Sequence, residues 1–333
     1  MADAKVIPFD EGGRRARGRE GRPGVPSPAE RPGGPGAERP GGAGESSAGG
    51  GAAEAAGEGA LERGLRFLRD RLTGSYEVDD FGFDEHLTDA VLGTVLKPVF
   101  EKYFRVDVRG LENIPDEGGA LIVANHSGTV PWDGVMLQVA VRERHPAARH
   151  LRLLAADLVF QLPVLGALAR KGGHTLACAE DAQELLERGE LVGVMPEGFK
   201  GVGKPFAERY KLQRFGRGGF VSTALRARVP IVPCSIVGAE EIHPMIGNAR
   251  VLARVLNLPY FPVTPTFPWL GPLGAIPLPT KWTIQFGEPV ETADQPPEAA
   301  EDPMLMFQLT DQVRETIQHT LYKLLVARRS VFF

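Results

Sequence analysis

Cysteine is scarce in this chain: Cys178 and Cys234 are the only two among 333 residues, and both stand in apolar surroundings. A disulfide framework is not expected, and a reducing cytosol is the natural compartment. Residues 1–20 hold no continuous apolar run, so no secretory signal is visible. Long apolar runs are missing elsewhere too. The longest, 151–169, is broken by Asp157, Gln161 and Pro163, which argues against a membrane span. Charge of one sign is also lacking, since the formal net charge is only -4, and nothing points to nucleic acid. His126, His145, His150, His174 and His243 fall into no H-E-x-x-H pattern, and C-x-x-C is absent, so no metal is expected. G-x-S-x-G is absent, which removes the usual serine hydrolase. Gly198 to Lys204 matches the start of a nucleotide-binding P-loop, but Pro205 stands where Ser or Thr would bind magnesium.

What is present is a globular composition, 43% hydrophobic and 24% charged, enough for one large domain or two small ones. The exception is 1–60, which holds 16 of the 41 glycines and many prolines. Such a segment cannot bury enough apolar surface to offset its chain entropy and is expected to be a disordered tail. Residues 61–104 read as amphipathic helix. Leu61, Leu65, Leu68 and Leu72 alternate with arginines, a face for an anionic lipid surface or for the domain. A second helix is predicted over 84–104, kinked at Pro98.

Strands then alternate with helices. Strands are predicted at 104–108, 120–124, 151–156, 191–195, 230–237 and 282–286. Helices are predicted at 133–144, 163–169, 181–188 and 219–226. This order implies an α/β fold, a mixed and mostly parallel sheet covered by helices on both faces. Residues 291–333 carry a C-terminal helix with Leu305, Leu309, Val313, Ile317, Leu321 and Leu325 on one stripe.

The strand at 120–124 runs into Asn125-His126-Ser127-Gly128-Thr129-Val130-Pro131-Trp132-Asp133. A histidine and a carboxylate in one turn suit proton transfer near neutral pH, and equally suit a solvated loop. The Glu197 loop, Met195-Pro196-Glu197-Gly198-Phe199-Lys200-Gly201, also leaves a strand end, where ligands gather in open α/β sheets. A basic cluster follows: Lys200, Lys204, Arg209, Lys211, Arg214 and Arg217 against Glu208 alone. It fits a phosphate, anionic lipid or plain solvent.

These loops, in this order, resemble the PlsC-like glycerolipid acyltransferases over about residues 85–290. The carriers are N-H with a following D, then P-E-G, then F-x-x-G in Phe215-Gly216-Arg217-Gly218, then V-P-I-V-P at Val229 to Pro233. The resemblance implies an acyltransferase domain over 105–290. It implies His126 as catalytic base and Asp133 as its partner. It implies Glu197, Gly198, Lys200 and Arg217 at the substrate, with Lys200 where the family has a phosphate-binding arginine. Pro230 and Pro233 match a structural motif. The usual spacing is H-x4-D, whereas six residues separate His126 from Asp133 here. Ala239-Glu240-Glu241-Ile242-His243-Pro244 matches an A-E-E-I-x-P signature of the branch acting on neutral glycerides.

The implied reaction moves a fatty acyl group from acyl-CoA or acyl carrier protein to a glycerol hydroxyl of a lysophospholipid or glyceride, with no cofactor. Gly128 or Gly198 would supply N–H groups to the developing oxyanion. The rival reading is a non-catalytic lipid- or acyl-carrier-binding protein of the same fold. The expected location is cytoplasmic, peripheral on the inner face of the membrane. Residues 258–279 hold seven prolines and no charge, and Phe261, Phe267 and Trp269 are the expected interfacial anchor.

Overall fold

The computed structural model describes residues 77–333 apart from Gly128, Arg217 and Asn257. The glycine-rich tail and the Leu61–Leu72 stripe lie outside the described residues, as does Arg217. The predicted helix over 84–104 is there as one unbroken helical run, 85–103. Asp84 accepts from the Leu87 N–H and starts α1 (Glu85–Ala90). Wider π-type turns follow at Val91–Leu96 and Val99–Tyr103. Pro98 separates them because it has no N–H to continue the ladder. The wider turns rotate the stepped stripe, so Val91 and Val95 face solvent while Leu92 and Phe100 are buried.

Seven strands form one sheet in the order β1-β9-β6-β2-β5-β3-β4. They are β1 (Asp107–Arg109), β2 (Ala120–Ala124), β3 (Leu151–Ala155), β4 (Thr175–Leu176), β5 (Leu191–Val194), β6 (Ile231–Val237) and β9 (Thr283–Phe286). All neighbours are parallel except β6 and β9. A small antiparallel pair, β7 (Gly247–Asn248) and β8 (Pro262–Val263), stands apart. The fold is therefore the mixed, mostly parallel α/β architecture the alternation predicts.

Strand β2 is buried along its whole length, and its alternation divides the core. Ala120, Ile122 and Ala124 join one apolar cluster, with Phe100, Phe104, Met136 and Trp282. Leu121 and Val123 join the other, with Phe215, Phe220, Val313 and Ile317. The main cover comes from α2 (Trp132–Arg144), α3 (Asp157–Gln161), α4 (Pro163–Lys171), α5 (Ala179–Glu187), α6 (Phe199–Val202) and α7 (Gly219–Ala227). The helix α8 (Arg250–Val255) lies in the excursion between β6 and β9, and α9 (Pro303–Ala327) closes the chain. Val313, Ile317 and Leu321 of α9 are fully buried.

The parallel pairing of β2 with β5 and with β6 has one consequence for chemistry. The loops after all three strands leave the sheet at the same end. Asn125 fastens the loop after β2 to the end of β6: its Nδ2 donates to Ile236 O at 3.0 Å and its Oδ1 accepts from Ile236 N at 2.7 Å.

Candidate active site

His126 is the second residue beyond β2, and Asp133 lies in the first turn of α2. The turn between them folds back. His126 Nδ1 sits 2.7 Å from Asp133 Oδ2. The same oxygen accepts from the Ser127 N–H at 2.7 Å, while Oδ1 accepts from the Gly134 N–H at 2.9 Å. Asp133 is fully buried and His126 retains 16% side-chain exposure, so one edge of the imidazole remains open. Nε2 has no hydrogen-bond partner among the described residues. Burial alone would lower the His126 pKa. The charge and hydrogen bond of Asp133, helped by Glu197 and opposed by Lys204, raise it above the ordinary imidazole value instead.

Glu197, delivered by β5, holds the histidine from behind. Its Oε1 accepts from the His126 N–H at 3.0 Å and its Oε2 from the Gln213 N–H at 2.6 Å. Behind it lies Lys204, whose Nζ is 3.3 Å from Glu197 Oε2 and 3.2 Å from Glu240 Oε1. Glu240 also accepts from the Tyr210 N–H. Burial pushes the Glu240 carboxyl up to about 7, against the pull of Lys204.

The Pro-Glu-Gly turn needs its glycines for two different reasons. Gly198 has φ +54, which side chains avoid, and its N–H already donates to Met195 O at 3.1 Å. The expected role of this N–H as an oxyanion donor is therefore not available. Gly201 faces His126 directly: a Cβ there would stand 2.9 Å from His126 O, 3.0 Å from His126 Cβ and 2.8 Å from Glu197 Cβ.

Of the site residues expected from sequence, His126, Asp133 and Glu197 come together. Lys200 is exposed on α6 and makes no ion pair among the described residues. The buried cation of the loop is Lys204. In sequence it reads as one more member of a basic cluster, or as the lysine of a false P-loop. Glu240 and Gly201 stand in motifs quoted above, but nothing in the sequence marks Glu240 as the partner of Lys204 or Gly201 as the neighbour of His126. The A-E-E-I-x-P segment is a hub: Glu240 meets Lys204, Glu241 pairs with Arg328, and the carbonyl of His243 accepts from Thr129 Oγ1. Glu85, Asp89 and His150 form a grouping that could hold a metal, but Asp89 is occupied by Arg142, at 2.7 Å through each of two nitrogens.

A family model described as acyltransferase matches residues 105–237, which contain all of these loops up to β6. An uncharacterized protein of Mycobacterium tuberculosis is 62% identical over 267 residues, covering 80% of this chain and 75% of its own length. A bovine protein named DGAT1/2-independent enzyme synthesizing storage lipids is 29% identical over 167 residues, 49% of this chain and 48% of that one. The crystal structure of PlsC from Thermotoga maritima, a 1-acyl-sn-glycerophosphate acyltransferase, superposes with a TM-score of 0.48 at 20% identity, over 81% of this chain and 90% of that one. The acyltransferase model lies across the strand-end loops, so the chain carries an acyltransferase domain and is an acyltransferase.

Proposed function

We propose that the protein moves a fatty acyl group from a thioester donor, acyl-CoA or acyl carrier protein, to a free hydroxyl of a lysophospholipid or glyceride. The observation that carries this reading is the 2.7 Å contact between His126 Nδ1 and buried Asp133, with Nε2 left open. Asp133 fixes the tautomer that presents Nε2 as a base. Nε2 takes the hydroxyl proton as the oxygen attacks the thioester carbonyl. The C–S bond then breaks, and the imidazolium returns the proton to the departing thiolate. Glu197 and Gly201 hold the histidine backbone in place for this step. Purified protein incubated with labelled acyl-CoA and a panel of lysophospholipid, monoacylglycerol and diacylglycerol acceptors should yield labelled ester. No labelled product with any acceptor would overturn the reading.

The acceptor lives in a bilayer, and the excursion between β6 and β9 fits that surface. No Asp or Glu occurs between Glu241 and Glu288, while Arg250, Arg254 and Lys281 do. Its exposed apolar side chains include Val251, Leu252 and Val255 on α8, with Trp269, Leu270 and Leu273 beyond it. Trp269 is 72% exposed, as an anchor requires. Phe261 and Phe267 are not exposed as expected: both are half-buried and pack on each other at 5.5 Å. Among the described residues no helix is long and apolar enough to cross a membrane. Replacing Val255 and Trp269 with Ser should lower flotation with anionic vesicles about tenfold, by loss of apolar contact. Unchanged flotation would remove the excursion as the lipid contact.

A further inference from the structure

Tyr260 belongs to the excursion between β6 and β9 and reaches the catalytic turn. The Tyr260 hydroxyl donates to Thr129 O at 2.8 Å. Thr129 belongs to the turn that separates His126 from Asp133. Its side chain is also held, since Thr129 Oγ1 donates to His243 O at 3.2 Å. The stretch after β6 therefore grips the turn at two points. The Tyr260 ring packs against the Glu197 loop as well: a Cβ on Gly203 would lie 3.2 Å from its Cδ1. Burial, then the charge of Asp133, raises the phenol pKa well above its ordinary value. The group is thus a permanent hydrogen-bond donor at any working pH.

This turn needs such a grip. It has two more residues than the H-x4-D of the family it resembles. Asp133 Oδ2 must still meet both the His126 ring and the Ser127 N–H at 2.7 Å. A longer turn has more conformations to lose, and an unheld carbonyl at its crest would leave it free to open.

We propose that Tyr260 is a positioning residue for acyl transfer: its hydrogen bond to Thr129 keeps the long turn closed so that Asp133 stays on His126. The claim rests on the acyl-transfer reading above and adds a residue to it. Because Tyr260 hangs from the same excursion as α8 and Trp269, a shift of that excursion on a lipid surface reaches the turn through this bond. The charged groups facing His126 are Asp133, Glu197 and Lys204, and of these only Asp133 depends on the turn.

Tyr260→Phe tests the bond, because it keeps the ring on Gly203 and removes one oxygen. Turnover should fall about tenfold, the scale of losing a supporting contact to a catalytic group. The KM for acyl-CoA should change by less than about twofold, since the oxygen removed is the one that donates to Thr129 O. The imidazole titration of His126, followed by NMR without turnover, should move to lower pH as burial acts with a weaker Asp133 contact. An unmoved titration overturns the proposal, whatever the turnover. Wild-type protein that transfers no acyl group, with a titration that still shifts in Tyr260→Phe, overturns the acyl-transfer reading and leaves the positioning role standing.

Discussion

His126→Ala should lower acyl transfer by about a hundred- to ten-thousand-fold, the range that a positioned general base contributes. The fold should survive, because the ring is partly open to solvent and its one partner, Asp133, keeps the Ser127 and Gly134 N–H groups. A thermal transition near that of the wild type, together with lost turnover, is the expected pair of results. Turnover near the wild-type rate would show that another group takes the hydroxyl proton. The pH dependence follows from the raised pKa. A base must be neutral, so kcat/KM should fall on the acid side at a pH above the ordinary imidazole value of 6.5. Asp133→Asn removes the charge that does most to raise the pKa and leaves burial opposed only by Glu197, so this limb should shift to lower pH while turnover drops. The stability linkage has the opposite reach. A histidine with a raised folded pKa stabilises the fold fully below 6.5, and that contribution disappears as pH rises through the folded value.

How far the site could be read from sequence depended on how local each signal was. The buried run Ala120–Ala124, the helix from Trp132 and the apolar Ile231–Val237 are set by periodicity, and the sheet that follows places three loops at one end. His126, Asp133 and Glu197 were nameable because they sit in those loops beside turn-forming residues. Whether six intervening residues let Asp133 reach His126 was not legible, because the closing contacts come from Tyr260 and His243, more than a hundred positions away. The same holds for Lys204. Its partner Glu240 lies 36 residues downstream, and only the side-by-side pairing of β5, β2 and β6 brings them together. One sequence shows a lysine among other lysines and arginines. It does not show which of them is buried. The short helix α8 and the β7–β8 pair were missed because six helical residues and two residues per strand are too short to carry a readable period.

Lys204→Met should be the most destabilising single change in this site, costing about 3–5 kcal/mol, as expected when one partner of a buried ion pair is removed. The lysine side chain is 2% exposed, Glu197 0% and Glu240 5%. Methionine fills the aliphatic volume and deletes the charge. Glu197 still accepts from His126 and Gln213, but Glu240 keeps only the Tyr210 N–H. The loss should depend on pH. The folded pKa of Glu240 stands at about 7, above the ordinary 4.5, so its ionisation opposes folding. That cost is absent below 4.5 and grows as pH rises through 7. Without Lys204 the folded pKa rises further, so the destabilisation should be larger at about pH 8.5 than at about pH 6, where Glu240 already holds its proton. Adding Glu240→Gln should recover part of the loss at the higher pH, since it removes the uncompensated charge. Denaturant melts of the three proteins at both pH values decide the matter. A loss below about 1 kcal/mol at both would mean that water, rather than Lys204, satisfies the two carboxylates.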